Sequence, residues 1–393
     1  MNKGTDRLKQ RGKTNLSQSR PNPDGSSRRL LALDVFRGLT IAGMMVVNTP
    51  GTWTHVYPPL LHADWHGWTP TDTIFPFFLF IVGVSMAISF ARRRSQAADR
   101  RELLLHSVKR GLIIFGIGLA LNVLSLFVFH REHLRIPGVL QRIGVVYLIA
   151  SAVYLLLPRR GVAATAVLLL LGYWALMALV PVPGFGVGRL DLEGNLAAYV
   201  DRAVLGPHTW KPGWDPEGPL STIPAIATAL LGALAGDWLL AAPAKRRIAG
   251  LAAGGFVALA VGALWGRVFP INKNLWTSSY AAFMSGLAAV LLALCLWIVD
   301  EKGWKAWARP FEWLGRNAIA AFVVSTLVTI LMLGVKLPGP DGKPRSLYST
   351  IYRTVFDRFA DPRLGSLLFA LTCLAAWVVV FGLAYRRRIF VKV

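Results

Sequence analysis

The residues best suited to chemistry are His62 and its polar neighbours, which stand just before a long apolar run. Histidine titrates near neutral pH, so His62 can act as a base, a nucleophile or a metal ligand. Asp72 begins that run and Asn48 ends the preceding one. Asp72 is a further candidate catalytic residue, although an acidic residue there is also typical of a helix cap. The Asn48 amide could orient the ring or hold a substrate hydroxyl. The alternative is a loop histidine bonded to a backbone carbonyl.

A zinc site is the second interpretation of this segment. His62 and His66 are four residues apart with Asp64 between them, a spacing that suits zinc on a helix. The surrounding Trp, Gly and Pro residues disfavour a helix, and no further Cys or His set completes the coordination. We therefore expect no metal.

Two later polar segments suit a sugar. The sequence WDPEGPLSTIP places two carboxylates beside a tryptophan, and INKNLW adds amide, ammonium and indole groups. Carboxylates accept hydrogen bonds from hydroxyl or ammonium groups, while an aromatic face covers the apolar side of a sugar ring. Helix caps and interface anchors are the alternative. The candidate substrate contacts are Trp65, Arg142, Asp215, Glu217, Asn272, Lys273 and Asn274.

Charged residues also fall inside apolar runs, among them Asp34, Arg37 and Arg142. Such charges are costly in a membrane, so by default they face the protein interior or a water-filled pathway. Asp34 and Arg37 share one helical face. They could form a purely structural pair, or they could have a function. Arg142 points to function, although a buried partner such as Glu217 would also satisfy it.

These residues must be positioned by membrane-spanning helices. The 393-residue chain is 54% hydrophobic and 16% charged, whereas soluble domains are about a quarter charged. We predict an all-α, polytopic helical bundle in residues 30–393, one transmembrane domain, after a basic disordered tail at 1–29. About ten spans, each near the required length of roughly 20 residues, are predicted at 31–49, 73–91, 107–129, 138–157, 162–181, 221–241, 247–266, 276–298, 312–333 and 366–385.

The net charge of +23 reflects topology, not nucleic-acid binding. Lys and Arg cluster in short segments between apolar runs, and these segments fall on one side if every span crosses once. By the positive-inside rule that side is the cytoplasm. Both termini are then cytoplasmic, and His62 lies on the far side of the lipid bilayer.

A series of motifs runs in order from Leu33 to Trp276: LDVFRG, VVN, HADWHGWTPTDTIFPFF, RIPGVLQRIGVVY, PVPG, YVDRAVLG, DPEGPLSTI and NKNLW. A weaker match, GRNAIAAF, follows. In this combination the chain resembles the heparan-α-glucosaminide N-acetyltransferase family, including its bacterial members. The lysosomal form carries an added N-terminal luminal domain and span, so this sequence resembles the shorter bacterial form.

The resemblance implies an acyltransferase that moves acetyl from cytosolic acetyl-CoA, a co-substrate, to a glucosamine amine across the membrane. It places the family's active-site histidine on His62, and its Asn and Asp on Asn48 and Asp72. Asp34 and Arg37 are then the candidate contacts for the acyl donor. His66 stands where relatives have Asn, and Ser325 stands where the lysosomal form has His. Heparan sulfate is not an ordinary bacterial polymer, so free glucosamine, chitin-derived sugars and envelope glycans stay open as acceptors.

Family analogy further implies a bacterial inner-membrane protein with its acceptor site facing the periplasm, and it allows a homodimer. An amino-sugar transporter is the alternative function, because it would share the outward carboxylates and aromatics. A glycan-binding scaffold is a third, but it leaves the charges inside the spans without an account.

Overall fold

The structure is a computed structural model that describes residues 30–339 and 343–391. The predicted tail at 1–29 lies outside these residues. In chain order the described helices are α1 (Leu31–Asn48), α2 (Ile74–Ser95), α3 (Arg100–Val128), α4 (Val139–Leu156), α5 (Arg159–Leu179), α6 (Leu196–Leu205), α7 (Thr222–Ala241), α8 (Ala244–Trp265), α9 (Ser278–Cys295), α10 (Arg309–Arg316), α11 (Ala318–Gly334), α12 (Leu347–Val355) and α13 (Pro362–Arg386).

Within the described part of the chain, nine helices are long and apolar enough to cross a membrane. They coincide with nine of the ten predicted spans, and α10 and α11 together occupy the tenth. Helices suit this setting because all their backbone hydrogen bonds are made within the segment. The predicted polytopic helical bundle is therefore confirmed. The side of the membrane on which each end lies stays a prediction.

The predicted span 312–333 is not continuous, because α10 and α11 meet at an angle of 84°. Asn317 at the junction leaves the helical conformation, with φ −121° and ψ 32°. Its side chain instead holds the C-terminal segment: Nδ2 donates to the Ile389 carbonyl oxygen at 3.2 Å, and Oδ1 accepts from the Val391 N–H at 2.9 Å.

The bundle has an inner and an outer set of helices. More than half of the residues in the apolar stretches of α1, α2, α4, α7 and α9 are buried, whereas α3, α8 and α13 bury less than a quarter. Five helices thus form the centre of the bundle and the others cover it. The centre contains the segments that lead into and out of the polar loops.

Close packing of α1 against α10 depends on two glycines. A Cβ at Gly38 would lie 1.7 Å from the Phe311 carbonyl oxygen, and one at Gly315 would lie 1.8 Å from the Asp34 carbonyl oxygen. Small residues let membrane helices approach backbone to backbone in this manner. The N-terminal half of α1 is therefore fixed at the end of the bundle opposite His62.

Several short elements had no counterpart among the predicted spans. Helices α6 and α12 lie in the loops at the end of the bundle that carries His62. A two-stranded antiparallel hairpin, β1 (Lys336–Pro338) and β2 (Pro344–Ser346), precedes α12. The Tyr348 hydroxyl of α12 donates to the Pro50 carbonyl oxygen at 2.8 Å, which ties these elements to the loop after α1.

Candidate active site

The segment between α1 and α2 presents His62 at one end of the bundle. It contains one 3₁₀ turn at Pro58–Leu60 and a second at Pro70–Thr73 that leads directly into α2. Proline presets the backbone at the first position of each turn. The His62 side chain is 51% exposed, so a dissolved molecule can reach it.

Asp72 closes this loop and is almost completely buried. Its Oδ2 accepts hydrogen bonds from the backbone N–H groups of Ala63 at 3.0 Å and Thr69 at 2.9 Å. Tyr280 of α9 donates its hydroxyl proton to the Asp72 carbonyl oxygen at 2.6 Å. The cap interpretation is therefore correct for Oδ2, and it leaves Oδ1 facing His62.

The imidazole Nδ1 of His62 lies 2.6 Å from Oδ1 of Asp72. An ionised carboxylate only accepts hydrogen bonds, so Nδ1 carries the proton and Nε2 keeps its lone pair in the neutral ring. Catalytic histidines are oriented by a carboxylate in this way. The alternative was a loop histidine bonded to a backbone carbonyl. In the structure His62 contacts a carboxylate instead.

Lys273 approaches the same imidazole from the loop between α8 and α9. Its Nζ lies 3.1 Å from both Nδ1 and Nε2 of His62, and 3.9 Å from Oδ1 of Asp72. An in-plane position equidistant from both nitrogens would overlap the carbon between them, so Nζ lies against the ring face. The in-plane lone pair of Nε2 is thus left available. Burial lowers the pKa of Lys273, although the charges of Glu217 and Asp72 oppose this.

A cleft opens beside His62 and runs into the bundle. It holds about 710 Å³ of space, part of it open to solvent. Its polar lining is concentrated around His62, and most of the rest is apolar. This His62 cleft is lined by Thr40, Ile41, Met44, Val47, Asn48, His62, Thr71, Ile74, Phe75, Phe78, Val139, Leu140, Ile143, Glu217, Lys273, Ile319 and Phe322.

The His62 cleft extends towards the opposite end of the bundle. From Asn48 to Thr40 it follows α1 for eight residues, which is about 12 Å along a helix. It also reaches Ile319 in the first turn of α11, next to the bend. An extended apolar group could therefore reach His62 from within the bundle.

Arg135 holds the two predicted sugar-binding carboxylates. Its Nε and Nη2 donate to the two oxygens of Asp215 at 2.8 Å each, and Nη2 also contacts the carboxylate of Glu217. Burial alone would lower the pKa of Arg135, but the hydrogen bonds to Asp215 and the charge of Glu217 raise it. Glu217 lines the cleft, whereas Asp215 lies outside its lining and also accepts from the Trp210 N–H at 2.7 Å.

Arg142 does not take Glu217 as its partner. It is buried in α4, and its Nη2 donates to the Gly218 carbonyl oxygen at 3.2 Å and to the Ser221 hydroxyl. These bonds tie α4 to the loop before α7. Its Nε and Nη1 have no hydrogen-bond partner among the described residues, although neighbouring residues of α4 line the cleft.

Three other predicted contacts lie outside the cleft lining. The indole N–H of Trp65 donates to the Leu190 carbonyl oxygen at 2.7 Å. Asn272 is fully buried, and its Oδ1 accepts from the Leu275 N–H at 2.9 Å. Asn274 is half-buried nearby. The cleft therefore brings together Asn48, His62, Glu217 and Lys273, with Asp72 behind His62, and the anchor interpretation fits Trp65 and Asn272.

Asp34 and Arg37 lie at the opposite end of the bundle. The Arg37 Nη1 donates to Asp34 Oδ1 at 3.0 Å and to the Gly315 carbonyl oxygen at 3.2 Å. Its Nη2 donates to the Ser85 hydroxyl at 2.6 Å. The pair joins α1, α2 and α10, as the structural interpretation required. A contact with an acyl donor stays a prediction.

No group of three or more His, Cys, Asp or Glu side chains that could hold a metal ion occurs in the part of the chain that the structure describes. His66 contacts the amide of Asn272 at 3.4 Å, so its side chain turns to a different neighbour from that of His62.

Two supporting residues escaped the sequence prediction. Arg135 lies in REHLRIPG, a segment noted for its polarity, and Tyr280 lies inside an apolar run. Two neighbouring carboxylates at a membrane surface need a cation to balance their charge. This requirement could have indicated Arg135. Nothing in the local sequence indicates Tyr280, because its contact joins residues 208 positions apart.

Known proteins are similar to this chain over most of its length. Residues 29–268 match the family model described as heparan-alpha-glucosaminide N-acetyltransferase, catalytic. The human heparan-alpha-glucosaminide N-acetyltransferase is 29% identical over 93% of this chain and 60% of its own length. The mouse protein of that name is 29% identical over 94% of this chain and 61% of its own. The chain thus spans about 60% of the length of these relatives, and since the family model covers more than half of it, the chain belongs to the heparan-alpha-glucosaminide N-acetyltransferase catalytic family.

Proposed function

We propose that this chain is a membrane acetyltransferase. It transfers an acetyl group from acetyl-CoA to the amino group of a glucosamine-type sugar. The observation that carries the proposal is the 2.6 Å contact between His62 and Asp72 at the mouth of the His62 cleft. Family membership supports the reaction type.

His62 would supply the base. An acceptor amine must lose its proton before it attacks a thioester, and a positioned base is worth roughly 10²–10⁴-fold in rate. Asp72 holds the ring with Nε2 available for this proton. In a second scheme Nε2 attacks the thioester carbonyl itself, coenzyme A leaves as the thiol, and the acetyl group then passes to the amine. Both schemes use the same geometry.

Lys273 would stabilise the oxyanion that forms during transfer. Its Nζ is 3.1 Å from Nε2 of His62, so it lies near any carbonyl that reacts beside that nitrogen. A charged donor placed where negative charge develops is often the largest single contribution to catalysis. Lys273 was expected from the sequence to contact the substrate, and in this proposal it contacts the reacting carbonyl.

The apolar part of the cleft would admit the acetyl end of the donor. The hydrocarbon core of a membrane is about 30 Å thick, so the pantetheine arm of acetyl-CoA must enter the bundle to meet an acceptor on the far side. The charged nucleotide would stay at the opposite end, near Arg37 and the basic segment at 92–110. This assignment makes that end cytoplasmic.

Glu217 would contact the sugar acceptor. It lines the mouth of the cleft, and its carboxylate is held by Arg135. A carboxylate can accept hydrogen bonds from sugar hydroxyl groups or from the ammonium form of the acceptor, and Asn48 adds an amide on the other wall. The proposal places this mouth on the periplasmic side of a bacterial inner membrane, and a homodimer is compatible with it.

The test uses the purified protein in lipid nanodiscs with labelled acetyl-CoA and glucosamine. Wild type would yield N-acetylglucosamine, and His62→Ala would lower the rate at least about 100-fold. His55→Ala is the matched control, because His55 is an exposed histidine of the same loop and should retain activity. Label that stays on the protein without acceptor would favour the acetyl-histidine scheme.

An amino-sugar transporter would behave differently. It would carry glucosamine into vesicles without acetyl-CoA, and uptake would survive His62→Ala. Sugar uptake combined with absence of product from wild type would overturn the acetyltransferase proposal.

A further inference from the structure

A second cavity lies beside the His62 cleft, on a neighbouring face of α1. It holds about 1060 Å³ of space, part of it open to the surroundings. We call it the lateral groove. Its walls are α1, the start of α2 and α9, represented by Leu39, Gly43, Phe77, Leu291 and Leu294.

The chemistry of the lateral groove suits a hydrocarbon chain. None of its lining residues carries a charged side chain, and its few polar side chains are mainly threonines. Its walls belong to helices that qualify as membrane spans, so its open side faces acyl chains at that depth. Leu294 on this side is 46% exposed. Lipid, not water, therefore surrounds the entrance.

The groove is long enough to hold an extended chain. It follows α1 from Phe36 to Val47, a distance of about 16 Å, or roughly half the thickness of the hydrocarbon core. Towards His62 the groove ends at Pro59 and Leu60. Leu60 is two residues before His62, so a head group at this end would lie beside the candidate base.

The groove borders the candidate active site through shared walls. Thr40, Val47, Thr71 and Ile74 line both the groove and the His62 cleft. A single layer of side chains thus separates an apolar channel from the site of transfer. Ordinary bilayer lipid could fill any apolar depression, but this one shares a wall with the cleft that contains His62.

We infer that the acceptor is an amino sugar attached to a lipid anchor, with its hydrocarbon chain in the lateral groove and its amine beside His62. The inference rests on the proposed acetyl transfer and narrows its substrate class. The sugar then reaches His62 by sideways movement in the membrane. Free glucosamine carries the same reactive amine but has no anchor, so it should react less efficiently.

The experiment compares glucosamine with dodecyl glucosaminide in nanodiscs. Wild type should show a kcat/KM for the dodecyl compound at least about tenfold above that for glucosamine. Because any alkyl compound concentrates in the membrane, the ratio must be tested with variants. Leu294→Trp fills the groove and should reduce the ratio about tenfold, whereas Val379→Trp, at a lipid-exposed position on α13, should preserve it.

Gly43→Leu is a second groove variant in case Leu294→Trp does not fold. A Cβ at Gly43 meets only Ile74 atoms, at 3.5 Å or more, so the backbone tolerates it. Binding of dodecyl glucosaminide without acetyl-CoA gives a readout independent of turnover, and it should weaken about tenfold in a folded groove variant. An unchanged ratio and unchanged binding would overturn the lipid-anchor inference alone. Absence of acetylation with either acceptor would overturn the proposed function.

Discussion

The Lys273 ammonium nitrogen lies 3.1 Å from both ring nitrogens of His62, although the two residues are 211 positions apart in the chain. The His62 ring is therefore held on its edge by Asp72 and against its face by Lys273. The first contact comes from the loop that carries the histidine, and the second comes from the loop before α9. This arrangement lets each partner be tested separately.

Replacing Asp72 by Asn should reduce acetyl transfer by at least about 100-fold. The amide can donate to Nδ1 as well as accept from it, so it no longer fixes the proton on Nδ1. Steady-state rates in nanodiscs measure the loss. Asp64→Asn is the control, because Asp64 is an exposed carboxylate of the same loop. Equal losses in both variants would contradict a specific role for Asp72.

Lys273 should give the rate an alkaline limb. Burial lowers its pKa below the ordinary 10.5, so the ammonium loses its proton as pH rises through that lowered value. If the ammonium stabilises the oxyanion, kcat/KM falls over the same range. Lys273→Met should lower the rate about 10²–10³-fold and abolish the limb, whereas Lys273→Arg should keep a charge and move it to higher pH. Superimposable profiles for wild type and Lys273→Met would exclude this role.

Removing Arg135 should destabilise the protein strongly. Arg135→Ala leaves the carboxylates of Asp215 and Glu217 without their cationic partner, and their side chains are 0% and 8% exposed. Breaking a buried pair in this way costs about 3–5 kcal/mol. Thermal unfolding in detergent would measure it. The exposed pair of Arg189 and Asp191 is the comparison, and Arg189→Ala should cost at most about 1 kcal/mol.

Asp201 should make stability depend on pH. It is buried, no described residue donates to its Oδ1, and burial raises its pKa to about 7 from 3.8. The folded state then binds the proton more tightly than the unfolded state, so this contribution is complete below about pH 4 and is lost as pH rises through about 7. Asp201→Asn should remove the loss, which melting temperatures between pH 4 and 8 would show. A parallel pH dependence in wild type and variant would contradict it.

Gly38→Ala should destabilise the α1–α10 contact. Its Cβ would lie 1.7 Å from the Phe311 carbonyl oxygen, and forced shifts of this kind cost about 1–3 kcal/mol. Gly116→Ala is the matched control, since its Cβ meets nothing within 4 Å and helix propensity alone favours alanine. Thermal unfolding should therefore separate the two variants in opposite directions.

The site was only partly predictable from the sequence. His62 and Asp72 are ten residues apart in one polar segment, so the sequence indicated both as candidates, and the structure showed that they pair. Glu217 was only an alternative partner for Arg142, and the structure gives Glu217 to Arg135, because loops from distant parts of the chain meet at this end. Trp65 was expected at the sugar. Its indole N–H bonds to the Leu190 carbonyl oxygen, and its contact with a sugar stays a prediction.

The sequence by itself determined the spans, since a membrane of fixed thickness demands apolar runs of matching length. It also located the polar loops and, through its motifs, the family. Only the tertiary structure decided which faces of the helices meet. That choice placed Lys273 on His62, bent the chain at Asn317 and set the lateral groove beside the cleft. Hydropathy records how apolar the surroundings of a segment are, whereas the partners of buried polar groups depend on which helices pack together.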